Sequence, residues 1–469
     1  METRGPLRFH GGLAGSLAPF VFFLAGVAWL GLSGAPDERG FWPILLGALT
    51  LGLFLAADRG AYCETLIRGM SQPIVMIMIL AWLLAGVLGA LLSAGGLVHG
   101  LVWLARAAGL QGGAYVAAAF VACCVVSTST GTSLGTILVC GPLLYPAGAS
   151  VGADPAFLIG AILGGATFGD SISPISDTTI ASAGTQGADI GGVVRARLKY
   201  VLPAAMGALL IYALLGAGSG AAASRATALA DDGPRGLALL AVPALVIGLL
   251  FARRHLIEGL LTGAAAALLI GLGFGLLSPR QVLYVDPERF GARGLIVDGI
   301  ERGIGVSVFT LFLVALVSAL QATDTLGRIV ELARRRTATA RGAELWIVGS
   351  VSAAVLLTTH SIVAILAVGE FAREAGSRFG LSSYRRANLL DVTVCTYPFL
   401  LPYFIPTILA ASATASGAAL GMPRVAALPA GAHNLYSWLL LAVTALAVLT
   451  GYGRSEAAPT GTAGLASGT

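Results

Sequence analysis

Apolar runs of about 20 residues, the length an α-helix needs to cross the hydrocarbon of a bilayer, recur along this chain. They lie at roughly 13–32, 41–57, 74–92, 200–217, 237–251, 256–277, 305–320 and 434–451, with shorter or interrupted apolar stretches between them. A backbone in lipid must satisfy its own hydrogen bonds, which leaves helices as the spanning element for segments this long. Only 11% of the side chains are charged and the mean hydropathy is +0.87, whereas soluble domains carry about 25% charge. The expectation is an all-α polytopic membrane protein, multi-pass in a lipid bilayer. The first run follows Arg4 and Arg8 but is too long for a secretory h-region and lacks a small-residue cleavage site, so it reads as an uncleaved span. A formal net charge of +5 fits the Lys and Arg excess of cytoplasmic loops and needs no nucleic-acid partner. Cys63, Cys123, Cys124, Cys140 and Cys395 lack metal-ligand spacing and read as small packing residues.

Two regions share a pattern without sharing letters. In the first, 114–149 is apolar but interrupted by STSTGTS at 127–133, and 155–168 is apolar and broken at 169–179. In the second, 343–371 is interrupted at 358–361, and 388–413 is broken around Pro398, Pro402 and Pro406. Paired, Gly/Pro-interrupted hydrophobic segments in two halves point to an internally repeated secondary transporter. The organisation expected is N-terminal spans at 1–70, a first repeat at 71–217, linking spans and loops at 218–304, a second repeat at 305–453 and a disordered tail at 454–469. Within the linking part, 219–235 and 281–302 read as extramembrane connections. Arg334, Arg335, Arg336 and Arg341 before the second interrupted segment, and Arg373, Arg378, Arg385 and Arg386 after it, place both of its ends in the cytoplasm. The loop at 148–155 has no Lys or Arg, as the opposite side would require, although Arg106 is a contrary signal. An inverted pair of repeats follows.

FGDSISPISDTT, at 168–179, places two aspartates at membrane depth, where an ionisable group is by default a functional-site hypothesis. Pro174 should stop a helix near Gly169 and let another begin near Ser176. Asp170 would then sit at a carbonyl-rich helix end, with Ser176 and Asp177 in N-cap-like positions. Carboxylates, carbonyls and hydroxyls form a hard-oxygen cage suited to Na⁺ or H⁺, with Na⁺ expected at Asp170 and Asp177 and the cage completed by Ser173, Thr178 and Thr179. Ser127, Ser129, Thr130, Thr132 and Ser133, with Gly131 for close backbone approach, would bring a hairpin tip to it. Hydroxyls that satisfy their own helices are the plainer reading of any single Ser or Thr. Two aspartates so close in an apolar span are hard to explain that way.

The stretches TGTSLGT at 130–136 and GATFGDSISPISDTT at 165–179 resemble the NhaC-type Na⁺/H⁺ antiporters of the ion transporter superfamily. Weaker matches are FGLSSYRRANLLD at 379–391 and HNLYSW at 433–438, so the resemblance covers about 71–451. It implies an inner-membrane carrier of inverted repeats, each with a re-entrant hairpin and a broken helix, exchanging internal Na⁺ for external H⁺. Carried onto matching positions, Asp170, Ser173, Pro174, Asp177 and Thr178 form the ion-site signature. Where many members carry Gly-Asp-Gln in the second hairpin, this chain has Thr359, His360 and Ser361; in place of Trp-Asn-Thr after the second break it has Phe404, Ile405, Pro406 and Thr407. Both departures fall where cargo should lie, and members of the wider family carry organic acids and amino acids.

The leading expectation is therefore Na⁺/H⁺ antiport by competition at Asp170 and Asp177, in the bacterial inner membrane, with no cofactor beyond the transported ions. Burial makes a carboxylate easier to protonate and bound Na⁺ opposes protonation. The alternative is Na⁺-coupled or exchange transport of a small carboxylate or amino acid lying between the hairpin tips and His360, which would act as proton carrier or cargo partner. Glu370 and Asp391 read as interfacial. An intramembrane aspartyl protease is disfavoured because Thr167 stands where its motif needs glycine, and no ring of filter residues suggests a channel. No enzyme is expected, and a homodimer is left open.

Overall fold

The computed structural model of the chain describes residues 6–32, 38–174, 176–218, 234–252, 254–287, 291–323 and 325–454. Among them, nine helical segments are long and apolar enough to cross a membrane. The chain opens with α1 (Gly12–Leu32), α2 (Phe41–Leu55), α3 (Arg59–Met70), α4 (Pro73–Ala94) and α5 (Leu97–Ala107). A hairpin of α6 (Gly112–Thr130) and α7 (Ser133–Ala147) follows, then α8 (Pro155–Ile172), a break at 173–176, α9 (Asp177–Gln186) and α10 (Ile190–Leu215). The linking part holds α11 (Ala241–Phe251) and α12 (Leu256–Gly273). The second half runs through α13 (Leu295–Gln321), α14 (Thr325–Arg336), the hairpin α15 (Ala340–Thr358) and α16 (Ser361–Arg378), α17 (Ser383–Val394), a break at 395–404, α18 (Ile405–Ala413) and α19 (Leu435–Thr450).

The two halves are one pattern repeated at a fixed interval. The cap residues Gln111 and Thr339 are 228 positions apart (339 − 111), and so are Thr132 and His360, Asp154 and Ser382, and Ser176 and Phe404. Gly152 and Gly380, both left-handed with φ +70° and +71°, keep the same interval, as do the first residues of α5 and α14. The packing is reciprocal: α9 lies on α16 while α18 lies on α7, and the corresponding helices α4 and α13 pack on each other. Pro174 and Pro402 occupy equivalent places in the two breaks.

Helix α8 is the buried axis of this assembly, and its sequence explains why. An added Cβ at Gly160 would meet the carbonyl of His433, at Gly165 that of Phe120, and at Gly169 the backbone of Ser127. Small residues at this spacing let α6, α8 and the start of α19 approach at backbone distance, which is how helices associate where lipid removes the hydrophobic drive.

Three expectations change. The segment 281–302 is not wholly an extramembrane connection: it contains an antiparallel pair, Tyr284–Asp286 with Gly291–Arg293, and from Leu295 it is already α13. Arg385 and Arg386 are not free loop charges, being 3% and 7% exposed. Arg385 is ion-paired to the fully buried Glu344 at 2.9 Å, and Arg386 donates to Gln186, so the topology signal rests on the exposed Arg334, Arg335, Arg336, Arg341, Arg373 and Arg378. The first helix stop falls after Ile172 rather than near Gly169. Most of 219–235 and the tail beyond Arg454 lie outside the described residues.

Candidate functional site

Each hairpin turns on a single left-handed residue. Gly131 closes α6 at φ +68° and Thr359 closes α15 at φ +52°. A β-branched residue there is strained, and Thr359 is the one non-glycine residue with positive φ among those described. Each tip then touches the break of its own broken helix. The Ser133 N–H, at the start of α7, donates to Asp170 Oδ1 at 3.2 Å. The Ser361 hydroxyl, at the start of α16, donates to the carbonyl of Val394 at 3.3 Å. An acidic group at a helix N-terminus is favoured by the orphan N–H groups and the helix dipole.

Asp170 is half-buried in the last turn of α8, where Asp177 and Asp391 lie within electrostatic reach. Asp177, in the first turn of α9, is exposed and is also within reach of His360. The structure thus gathers Ser133, Asp170, Asp177 and His360 across the two repeats. Two of the buried polar atoms left without a hydrogen bond belong to the same region: Ser173 Oγ at the end of α8, and His360 Nδ1 at the tip of the second hairpin. Thr358 binds the His360 backbone rather than its ring. Thr178 bonds Ser176 at 3.1 Å and faces Cys395 Sγ at 3.9 Å.

Other residues singled out in the sequence serve the fold. Ser127 donates to the Ala166 carbonyl at 2.6 Å and ties α6 to α8. Ser129 and Thr130 bond carbonyls of their own helix, and Thr132 caps α7 by accepting from the Gly135 N–H. Thr179 is not a member of an open cage, because its oxygen accepts from Arg197 at 2.9 Å. Pro398 lies in a 3-10 turn, Tyr397–Phe399, within the second break. No cluster of three His, Cys, Asp or Glu side chains forms a metal site among the described residues, so an ion at Asp170 would draw on hydroxyls and carbonyls.

Asp391 is not interfacial. It is fully buried and paired with Arg197 at 2.5 Å. Arg197 itself escaped the sequence reading, since a cation seven residues into α10 looks like a membrane-end charge. Asn434, within HNLYSW, donates to the Phe399 carbonyl at 3.0 Å and so satisfies the irregular backbone of the second break.

Residues 20–217 match the model of the Na⁺/H⁺ antiporter family. The chain is 26% identical over 273 residues to the Na⁺/H⁺ antiporter NhaC of Alkalihalophilus pseudofirmus, covering 56% of this chain and 50% of that protein. It is 29% identical over 172 residues to the malate-2H⁺/Na⁺-lactate antiporter of Bacillus subtilis, covering 36% of each. With the arginine/ornithine antiporter ArcD of Halobacterium salinarum it shares 26% identity over 446 residues, 88% of this chain and 87% of that one. The alignments to the first two relatives span half, or less, of their length.

Proposed function

We propose that this chain, which resembles the NhaC-type Na⁺/H⁺ antiporters, exchanges Na⁺ for H⁺ across the cell membrane by competition at Asp170, with Asp177 as the second acidic group. The observation that carries this reading is the Asp170 carboxylate, held between the last turn of α8 and the N-terminus of α7 at the point where hairpin and broken helix meet. An unneutralised charge at that depth is costly, so the carboxylate takes either H⁺ or Na⁺ as its partner. Ser173, with a free hydroxyl, and the carbonyls at the end of α8 supply hard oxygen for the cation. Exchange is obligatory if the loaded site, but not the empty one, reorients between the two faces. Reconstitution in liposomes tests this: Asp170→Asn should abolish Na⁺-driven proton movement while the purified protein keeps its elution profile. Wild-type exchange by that variant overturns the proposal.

A second reading is exchange of a small carboxylate or amino acid, and it is favoured by the unbonded His360 Nδ1 at the second tip and by the extended similarity to an arginine/ornithine antiporter. Under that reading His360→Gln should weaken solute affinity or flatten the pH dependence of transport, because it removes a titratable ring from the second tip. Unchanged affinity and profile return His360 to a packing role.

A further inference from the structure

Arg197 is the largest fully buried side chain among the described residues. From α10 its guanidinium reaches both sides of the first break and the second broken helix. Nη1 donates to the Ser171 carbonyl at 2.6 Å, in the last turn of α8, and to Thr179 Oγ1 at 2.9 Å, in the first turn of α9. Nε donates to Asn388 Oδ1 at 2.8 Å, and Nη2 pairs with Asp391 Oδ2 at 2.5 Å, both on α17. Asp391 also accepts from Ser182 Oγ at 3.2 Å and from Cys395 Sγ at 3.4 Å. One cation on α10 therefore holds three other segments, α8, α9 and α17, that any rearrangement of the site must respect.

A buried ion pair gains little stability over well-packed apolar residues of the same volume, because desolvation offsets the attraction. What this pair does supply is two opposite charges beside the candidate cation site. Arg197 binds the carbonyl of the residue that follows Asp170, and Asp391 is within electrostatic reach of Asp170. The cation also sits at the C-terminal end of α8, where it complements the helix dipole. The remaining charged or titratable groups around Asp170 are Asp177 on α9 and Cys395 at the end of α17, with His360 facing Asp177.

We propose that Arg197 and Asp391 are positioning residues for the cation: a built-in neutral pair that fixes the break of the first broken helix and sets the electrostatic potential at Asp170, and with it the affinity for Na⁺. The proposal rests on Asp170 being the cation site. Removing one member of the pair should move Na⁺ affinity in opposite directions. Asp391→Asn leaves the guanidinium uncompensated and should raise the Na⁺ concentration for half-saturation about tenfold. Arg197→Gln leaves a carboxylate uncompensated and should lower it by a similar factor. Both follow from one uncompensated unit charge acting on the site through an effective dielectric of about 20, and a tenfold change corresponds to about 1.4 kcal/mol. The double variant restores neutrality and should return half-saturation to within about threefold of wild type, whatever happens to maximal rate.

Half-saturation by Na⁺, measured by calorimetry on purified protein and by transport in liposomes at one fixed pH, separates this from a purely structural role, which lowers the maximal rate of every variant without opposed shifts. Singles that do not fold leave Asn388→Asp as the deciding variant. It keeps an acceptor for Arg197 Nε while adding a negative charge, and should tighten Na⁺ binding several-fold. No tightening in Asn388→Asp, or shifts of the same sign in both singles, overturns the proposal. Asp170→Asn is run alongside: if it still binds Na⁺ like wild type, the assignment of the cation site fails, whereas loss of binding there without opposed shifts elsewhere defeats the positioning role alone.

Discussion

Gly169→Ala puts the packing of the site to a direct test. A Cβ at this position would lie 2.1 Å from Ser127 Oγ and 2.3 Å from both the Cβ and the carbonyl carbon of Ser127. Rotation of the Ser127 hydroxyl removes the first contact but not the backbone one. Ordinary van der Waals contact begins at 3.4 Å, so α8 and α6 must part locally by about 1.1 Å (3.4 − 2.3). Overpacking of this kind costs about 1–3 kcal/mol. The next residue is Asp170, whose bond to the Ser133 N–H is already 3.2 Å long, so the same displacement breaks it. A misplacement of about 1 Å at a site that depends on geometry costs up to about 100-fold in rate. The expected result is a lower thermal midpoint in detergent and a Na⁺-driven proton flux in liposomes reduced by about 10- to 100-fold. Gly184→Ala is the control: it lies within α9, is exposed, and an added Cβ meets nothing within 4 Å. Its helix propensity should raise stability by up to about 1 kcal/mol with flux unaltered. A Gly169→Ala protein with wild-type midpoint and flux would refute the close approach of hairpin and broken helix as the device that builds the site.

Thr359→Gly should raise stability by up to about 1 kcal/mol, read as a higher thermal midpoint, because a left-handed conformation costs a side chain about 1–2 kcal/mol and the greater unfolded-state freedom of glycine offsets only part of that gain; a drop in stability instead would show that the threonine side chain is needed at the tip. Single cysteines at Gln111 and Ala338, both exposed and beside equivalent hairpin starts, should be labelled by an impermeant reagent from opposite faces of intact cells. Labelling from one face would make the two repeats parallel rather than inverted.

The helical class, the two hairpins and both breaks were legible because they depend on local rules: apolar length, a glycine or a polar pair at a turn, proline where a helix must stop. The stop after Ile172 came later than expected because proline restricts the residues before it without dictating which carbonyl ends the ladder. Asp170 was legible as a charge in an apolar run, and its contact with Ser133 follows from the hairpin tip meeting the break. Arg197 and Asp391 were not, because each sits within a few residues of other charges and so resembles an interfacial anchor. Only the crossing of α10 and α17 brings them together inside the protein. The same applies to Arg385, whose charge reads as a loop signal until the fold buries it against Glu344.

The two repeats share geometry but not chemistry, and that asymmetry shapes what the molecule can do. At the 228-position interval, Asp170 corresponds to Pro398, Ser173 to Leu401 and Asp177 to Ile405. The first break therefore carries the acidic and hydroxyl groups, while the second fills the equivalent space with apolar side chains and closes its carbonyls internally through Thr407, whose hydroxyl bonds Leu401 at 2.6 Å and Phe404 at 2.7 Å. Under the proposed exchange, a symmetric scaffold with one acidic break would offer one Na⁺/H⁺ site among the described residues rather than two. The second repeat contributes from its tip instead, where His360 stands at the position of Thr132 and Thr359 at that of Gly131. Strain and an unbonded ring nitrogen are concentrated at that tip, within electrostatic reach of Asp177 of the other repeat. Backbone strain persists only where the surroundings over-determine it, and sites that bind or switch are where proteins keep it. On the proposed function, the first repeat would set which ion is bound, and the second tip is where a change of cargo between related carriers would be written.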